Sequence, residues 1–367
     1  MINGRIMTTI KHLKISILFT VFGLFVSQAS FAGEAKEGEK FDPSVMINHH
    51  IMDAHDWHLF DLKDDDGEVH PVSIPLPVIL WDNGLQIFMS SEFHHGHDAV
   101  ERNGNYYFNA HEHIYKTDAN GTLEYDEAGA ITNAHPLDLS ITKNVAMLLI
   151  NATVMVLIFL AVARGYKKNV KRAPKGVQSF FEPIIIYVRD EIVKPNIGPK
   201  YERYLPYLLS LFFFIWFGNL LGLLPAAANL TGNIAVCMAL AGLTLIITLA
   251  SGRKTYWLHI LDPLGNSMPW LAKFPLYLIL WPIEILGIFI KPFSLMIRLF
   301  ANITAGHIII LSIISLTFIT QSIAVGVAST AFATVMNMLE LFVALLQAYV
   351  FTLLTSMYFG QAVEEHH

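Results

Sequence analysis

The chain has 367 residues, of which 54% are hydrophobic and only 15% charged, with a formal net charge of -6. That composition excludes an ordinary soluble domain of this size, and the absence of a basic stripe interleaved with aromatics excludes nucleic acid as a partner. With one cysteine, Cys237, an intramolecular disulfide is impossible.

Residues 1–32 read as a secretory signal peptide. Arg5, Lys11 and Lys14 precede an apolar core from Ile15 to Val26, and Ser30-Phe31-Ala32 offers a small-x-small cleavage site. The core is shorter than the roughly 20 residues an uncleaved membrane helix needs. Cleavage leaves the mature N-terminus outside the cytoplasm.

Residues 33–138 form a polar, exported extension carrying eleven of the sixteen histidines. Val72, Ile74, Leu76, Val78 and Leu80 alternate, Asp82-Asn83-Gly84 is a turn signal, and Leu85, Ile87 and Met89 alternate after it, which predicts a β-hairpin. Pro75 and Pro77 assign its first strand to an edge. Asn120-Gly121, between Tyr115 and Leu123, predicts a second hairpin turn. His94-His95-Gly96-His97 and His111-Glu112-His113, with His49, His50, His55 and His58 upstream, are candidate zinc or copper ligands only if three or four converge in space. A solvated face is the plainer reading, and no H-E-x-x-H spacing supports hydrolytic chemistry.

Residues 139–367 form a membrane domain. The first span, Val145 to Ala163, is followed by Arg164, Lys167, Lys168, Lys171, Arg172 and Lys175, which place that end in the cytoplasm. Val177, Phe180, Phe181, Ile184, Ile185, Val188 and Ile192 recur at helical spacing opposite Gln178, Arg189 and Asp190, predicting a helix along the membrane surface, bent or restarted at Pro183. Tyr207 to Leu224 and Ile234 to Ala250 are the next two spans. From Leu276 to Thr317 the apolar pattern is about twice the length of a perpendicular span, so a tilted or bent helix is expected, with Pro282 and Pro292 as bend points. A turn near Phe318 to Val327 leads into a second long helix ending near Tyr358 and a cytoplasmic tail. The fold class is thus an all-α polytopic membrane protein of about five helices, with a small β-hairpin region outside.

The chemistry lies on the last two helices. Glu284, Lys291, Ser294, Arg298 and Asn302 fall within one quadrant at about 100° per residue, forming a polar stripe. Arg298 is the most informative of them, because a guanidinium that cannot lose its proton is costly in an apolar run. Glu284 is about 21 Å away along the helix, too far to neutralise it, so a partner chain is implied. His307 points to the opposite side. On the returning helix Glu340 and Gln347 are seven apart, and a hairpin turning near residue 322 sets His307 level with Glu340 and Arg298 level with Gln347. A histidine beside a buried carboxylate is a proton relay; Arg298 instead bars proton flow and favours ionisation of a carboxylate brought beside it. Each polar group has a plainer reading as a contact that fixes helix register.

The run RLFANITAGH from Arg298 to His307, with Lys291-Pro292 before it and Leu346-Gln347-Ala348-Tyr349-Val350-Phe351 after it, closely resembles the a subunit of F-type ATP synthases. The resemblance covers residues from about 140 to 367. It implies that Arg298 is the stator arginine, with Asn302 and Gln347 as its polar neighbours. Glu284, Lys291 and Ser294 then border a cytoplasmic half-channel, and His307 with Glu340 forms the outer half-channel pair, in the mitochondrial-like order. Implied partners are the c-subunit ring, b-type peripheral stalk subunits, membrane lipid and translocated protons, in a bacterial inner membrane. No cofactor and no bond chemistry in this chain are implied. Asn219-Leu220-Leu221-Gly222-Leu223-Leu224-Pro225 departs from the family's N-L-x-D-L-L-P by lacking the aspartate, leaving Asn219 and Asn233 as polar candidates at the outer mouth. The resemblance assigns no role to the histidine-rich extension. A rival class, a metal transporter or membrane metalloenzyme, requires a midplane ligand set or inverted repeats, and the sequence displays neither.

Overall fold

A computed structural model of the chain describes residues 52–63, 69–168, 172–224, 227–262 and 270–364. The signal-peptide reading of residues 1–32, the histidines His49 and His50, Lys171, Pro225 and the last tail residues, Glu365 to His367, lie outside them. Two compact units emerge, one of residues up to Met147 with Gly222–Ala228 and Ile310–Val335, the other of Leu148–Leu221, Asn229–Ile309 and Met336–His367.

In the first unit, strands β1 (Asp56–Lys63) and β2 (Val69–Pro75) pair antiparallel. Strand β3 (Pro77–Trp81) lies between β4 (Leu85–Met89) and β8 (Leu137–Asp138), while β5 (Val100–Arg102), β6 (Asn105–Ala110) and β7 (His113–Thr117) make a third sheet. The Asp82-Asn83-Gly84 turn joins β3 to β4 as expected, with Asn83 and Gly84 at positive φ. Val78, Leu80, Phe88, Phe93, Val100, Tyr107 and Ile114 form the core.

Three local expectations are corrected. The alternation from Val72 to Leu80 is two strands, because the chain changes sheets at Leu76. Its amide donates to Ser90 Oγ and its carbonyl accepts from the Ser90 amide, both at 2.9 Å, so the break leaves no orphaned backbone group. Strand β3 is central rather than an edge, and Pro77 is tolerated as its first residue. Asn120-Gly121 does not join two paired strands; Asp118 Oδ1 accepts from the amides of Asn120 (3.1 Å) and Thr122 (2.8 Å), closing a local turn. The further hairpins turn instead at Asn103-Gly104 and at His111-Glu112, whose residues all have positive φ.

The longer helices are α1 (Lys143–Lys168), α2 (Val177–Tyr187), α3 (Tyr201–Gly222), α4 (Ile234–Ser251), α5 (Lys254–Leu261), α6 (Trp270–Thr320) and α7 (Ile323–Val363). Among the described residues, five helical segments are long and apolar enough to cross a membrane: Lys143–Lys168, Val177–Gly222, Ile234–Ser251, Leu276–Thr320 and Ile323–Val363. Helix α6 has 51 residues, and at about 1.5 Å per residue it exceeds twice the ~30 Å hydrocarbon thickness. Pro282 and Pro292 lie within it without ending it. The turn to α7 falls at Gln321-Ser322, where Gln321 has φ 48°.

Helix α2 continues through a π-turn at Val188–Val193, and the orientation of its first turn differs from expectation. Gln178 is buried while Val177 and Phe180 face outward. Gly165 explains this, because a side chain there would meet Gln178 Cβ and Oε1 at 3.0 Å, so the amide occupies space that only a glycine leaves. Phe181, Val188 and Ile192 do turn inward, joining Phe213, Phe217 and Leu299 in the core of the second unit.

Candidate functional site

Helix α6 presents two kinds of surface within the second unit. Leu295, Leu299 and Ile303 recur at three- and four-residue spacing and are buried, with Ala344, Ala348 and Phe351 of α7 buried in the same unit. Leu295, Leu299, Ala348 and Phe351 belong to one core cluster. Lys291, Ser294, Arg298 and Asn302 are exposed on α6, among exposed Phe293 and Ile297. The polar stripe therefore exists as a surface, set in apolar side chains.

Arg298 makes no hydrogen bond or ion pair among the described residues, including with Gln347, which is buried. Its electrostatic neighbour is the Tyr358 hydroxyl of α7. Lys291 donates to Gln361 Oε1 at 3.0 Å and lies 5.6 Å from the Tyr358 ring centre. These side chains border a cavity of about 20 Å³ shared with Thr244, Thr248 and Tyr256, room for about one water. Glu284, half-buried, interacts electrostatically with Tyr256. Gln361 and Tyr358 were not apparent as site residues, although Gln361 extends the seven-residue spacing of Glu340 and Gln347 by two further repeats.

One turn past Asn302 the environment changes. His307 Nδ1 and Glu340 Oε1 are joined by a 2.5 Å hydrogen bond, with the two side chains 16% and 4% exposed. Glu340 Oε2 and the nearby Thr304 Oγ1 are buried without a hydrogen-bond partner among the described residues. A carboxylate held on one oxygen by an imidazole retains acceptor capacity on the other, which suits a group that receives and passes on a proton.

Asn219 and Asn233 each make hydrogen bonds to the surrounding framework. Asn219, buried on α3, donates to the Ala344 carbonyl of α7 at 3.2 Å and accepts from Thr231 Oγ1 at 2.6 Å. Asn233 caps α4, its side chain accepting from the Ala235 amide at 2.9 Å.

The histidine-rich extension has a different organisation from a ligand cluster. His111 and Glu112 are the two turn residues of the β6–β7 hairpin, and His94 pairs with Asp98 at the surface, 2.8 Å apart. Among the described residues no three His, Cys, Asp or Glu side chains converge in an arrangement that could hold a metal. The buried polar contact there is His55 Nε2 to Asp138 Oδ2 at 2.8 Å, with His55 3% exposed. Burial raises the Asp138 carboxyl, but the hydrogen bonds from His55 and Ser140 outweigh it and hold the group below its usual range. Asp82 is likewise held low by Lys116, 2.6 Å away, and by Tyr107, whose own hydroxyl is pushed up to about 12 by burial and by Asp82.

Comparison with known proteins covers both regions. Residues 145–360 match the family model described as ATP synthase A chain, and residues 46–139 match one described as a domain of unknown function. The ATP synthase subunit a 2 of Chlorobaculum tepidum is 46% identical over 254 residues, 66% of this chain and 70% of that protein. The ATP synthase subunit a of Chloroherpeton thalassium is 42% identical over 234 residues, covering 62% and 69%. That of Anaeromyxobacter sp. is 40% identical over 262 residues, covering 70% and 62%.

Proposed function

Because the chain belongs to the ATP synthase A chain family, we propose that it supplies two offset proton half-channels, separated by Arg298, that turn a ring of c subunits. Protons approach from the outer side and are relayed by His307 and Glu340, with Asn302 lining the path and Asn219 and Asn233 holding the elements that frame it. They load a ring carboxylate, travel round with it and leave past Ser294, Glu284 and Lys291 on the cytoplasmic side. Arg298, always charged, favours ionisation of each carboxylate arriving beside it and blocks a direct leak between the two paths. Gln347 is its polar counterpart on the returning helix, although no hydrogen bond joins the two among the described residues.

The membrane potential contributes about 2.3 kcal/mol per proton per 100 mV. The chain itself performs no bond chemistry; ATP forms elsewhere in the complex. Residues 1–32 act as a signal peptide, residues 33–138 form a periplasmic extension and residues 139–367 the membrane domain, with the C-terminus cytoplasmic and b-type stalk subunits bracing it in a bacterial inner membrane.

The observation that carries this reading is the buried 2.5 Å His307–Glu340 pair nine residues beyond an exposed arginine without an ion-pair partner among the described residues. The test is Arg298→Ala in membranes carrying the whole complex. Proton-driven ATP synthesis is expected to be lost, and retained coupled synthesis would sink the mechanism.

A further inference from the structure

The β4–β3–β8 sheet has two apolar faces, only one of which the fold uses. Val78, Leu80 and Phe88 point into the core. On the opposite face the register aligns Leu137, Trp81 and Leu85 in one row and sets Ile79 opposite Ile87 and Pro77 opposite Met89. The amides of Leu139 and Ile141 donate to the carbonyls of Ile79 and Pro77, extending β8 so that Leu139 and Ile141 complete the second and third rows. The result is three rows of three side chains without a polar member. Trp81 is 56% exposed, Leu85 53%, Ile87 59%, Met89 40%, Leu137 60% and Leu139 56%. Strand spacings make this grid about 13 Å by 10 Å before side chains are counted. An antiparallel sheet ordinarily turns a polar face to water, and an apolar patch of several hundred Å² marks an interaction surface.

The chain connection identifies what covers it. Residue Ile141, in the third row, is two residues before Lys143, the first residue of α1, whose amide donates to the Ala54 carbonyl of the same unit at 2.9 Å. The charge-free run of α1, Val145 to Ala163, is about 28 Å long and so fills the hydrocarbon layer from edge to edge. Val145 and Leu149 are exposed as lipid-facing side chains would be. The third row is therefore tied within about 14 Å of the hydrocarbon edge by four residues of chain. A protein partner would be expected to meet a polar rim with register-setting groups. Trp81 in an uncharged face beside a span is instead what the headgroup–acyl boundary selects.

We infer that this sheet face lies on the membrane interface at the N-terminal end of α1, its occupant being phospholipid at the headgroup–acyl boundary, and that it anchors the extension to the bilayer. The inference requires only that α1 crosses a bilayer, so it stands or falls separately from the half-channel reading. Such a face would enter the interface by about 5–10 Å.

The test uses the full chain in its assembled complex, reconstituted in phosphatidylcholine vesicles. In a Cys237→Ala background, nitroxide labels are placed by Ile87→Cys, Leu139→Cys and, as a water-exposed reference, Glu127→Cys. The collision ratio of oxygen to a nickel chelate is expected to be several-fold higher at positions 87 and 139 than at 127. Equal ratios at the three positions place the face in water and overturn the inference. Shielding of 87 and 139 from both reagents places protein over the face and also overturns it. A second readout leaves the sheet almost unaltered: brominated phosphatidylcholine should quench the emission that distinguishes wild type from Trp81→Phe, and an unquenched difference rejects the lipid contact.

Discussion

Gly306 makes room for Glu340. A Cβ built on it would meet Glu340 Oε1 at 3.1 Å and Cδ at 3.2 Å, closer than ordinary van der Waals contact and directly against the oxygen that His307 holds. The glycine thus lets the returning helix bring its carboxyl to the imidazole of the adjacent residue. Gly306→Ala should displace the carboxylate by a few tenths of an ångström while leaving α6 helical, since alanine is the better helix former by about 1 kcal/mol. The expected result is normal assembly with slower proton uptake in reconstituted vesicles, and a larger effect with Gly306→Val. Uptake at the wild-type rate in both would mean that this contact does not set the geometry of the pair.

The pair itself separates charge from shape. Glu340→Gln preserves volume and an acceptor oxygen but cannot release a proton, so proton uptake should fall by about 10²-fold or more if the carboxyl is the transfer group. His307→Ala should be harsher on the fold, because a buried carboxyl left without its hydrogen-bond partner is destabilising by roughly 1–3 kcal/mol. Comparing the thermal stability of the two variants with their uptake rates distinguishes transfer from support. A Glu340→Gln complex that takes up protons normally would remove this residue from the path.

Much of this site was legible in the sequence because helices impose simple arithmetic. The seven-residue spacings and a turn near residue 322 were enough to align His307 with Glu340, and the turn does fall at Gln321-Ser322. The same arithmetic extended to Arg298 and Gln347 yields no hydrogen bond among the described residues, since α6 exposes the arginine while α7 buries the glutamine. Strands were harder to read. Alternation from Val72 to Leu80 is identical whether one sheet continues or the chain changes sheets, and only the Leu76–Ser90 contacts, fourteen residues apart, decide it. The His111-Glu112-His113 cluster looked like ligand chemistry because neither His111 nor Glu112 announces the positive φ it adopts in a hairpin turn.

Acid should weaken the extension through Asp138 and Asp82. Both carboxyls are held below their usual range in the folded state, Asp138 by His55 and Ser140 against the opposing effect of burial, Asp82 by Lys116 and Tyr107. A lowered folded value means that their contribution is complete above the unfolded value of about 3.9 and is lost as pH falls through the folded one. Amide-exchange protection of β3 and β8 in the full chain should therefore decline below about pH 4. Asp138→Asn should reduce that protection at neutral pH by about 1–3 kcal/mol, toward the low end because the carboxyl is 32% exposed. A variant with wild-type protection and an unchanged acid profile would show that the His55 contact is incidental.

Asn219 poses the sharpest contrast between path and framework. It stands near the C-terminal end of α3, three residues before Gly222, and its amide contacts both the Ala344 carbonyl and the Thr231 hydroxyl. Each contact uses one of the two bonds that end of the amide can make, and together they tie α7 and the start of the α4 segment to α3. Loss of the amide in Asn219→Ala leaves the Thr231 hydroxyl and a helix carbonyl without this partner, a penalty of about 1–3 kcal/mol by soluble-protein measures and nearer 0.6 within a bilayer. The expected outcome is a complex that is recovered in lower yield and melts earlier, but whose proton uptake per assembled complex is unchanged. A fall in uptake with full stability would reverse the assignment and put Asn219 on the path.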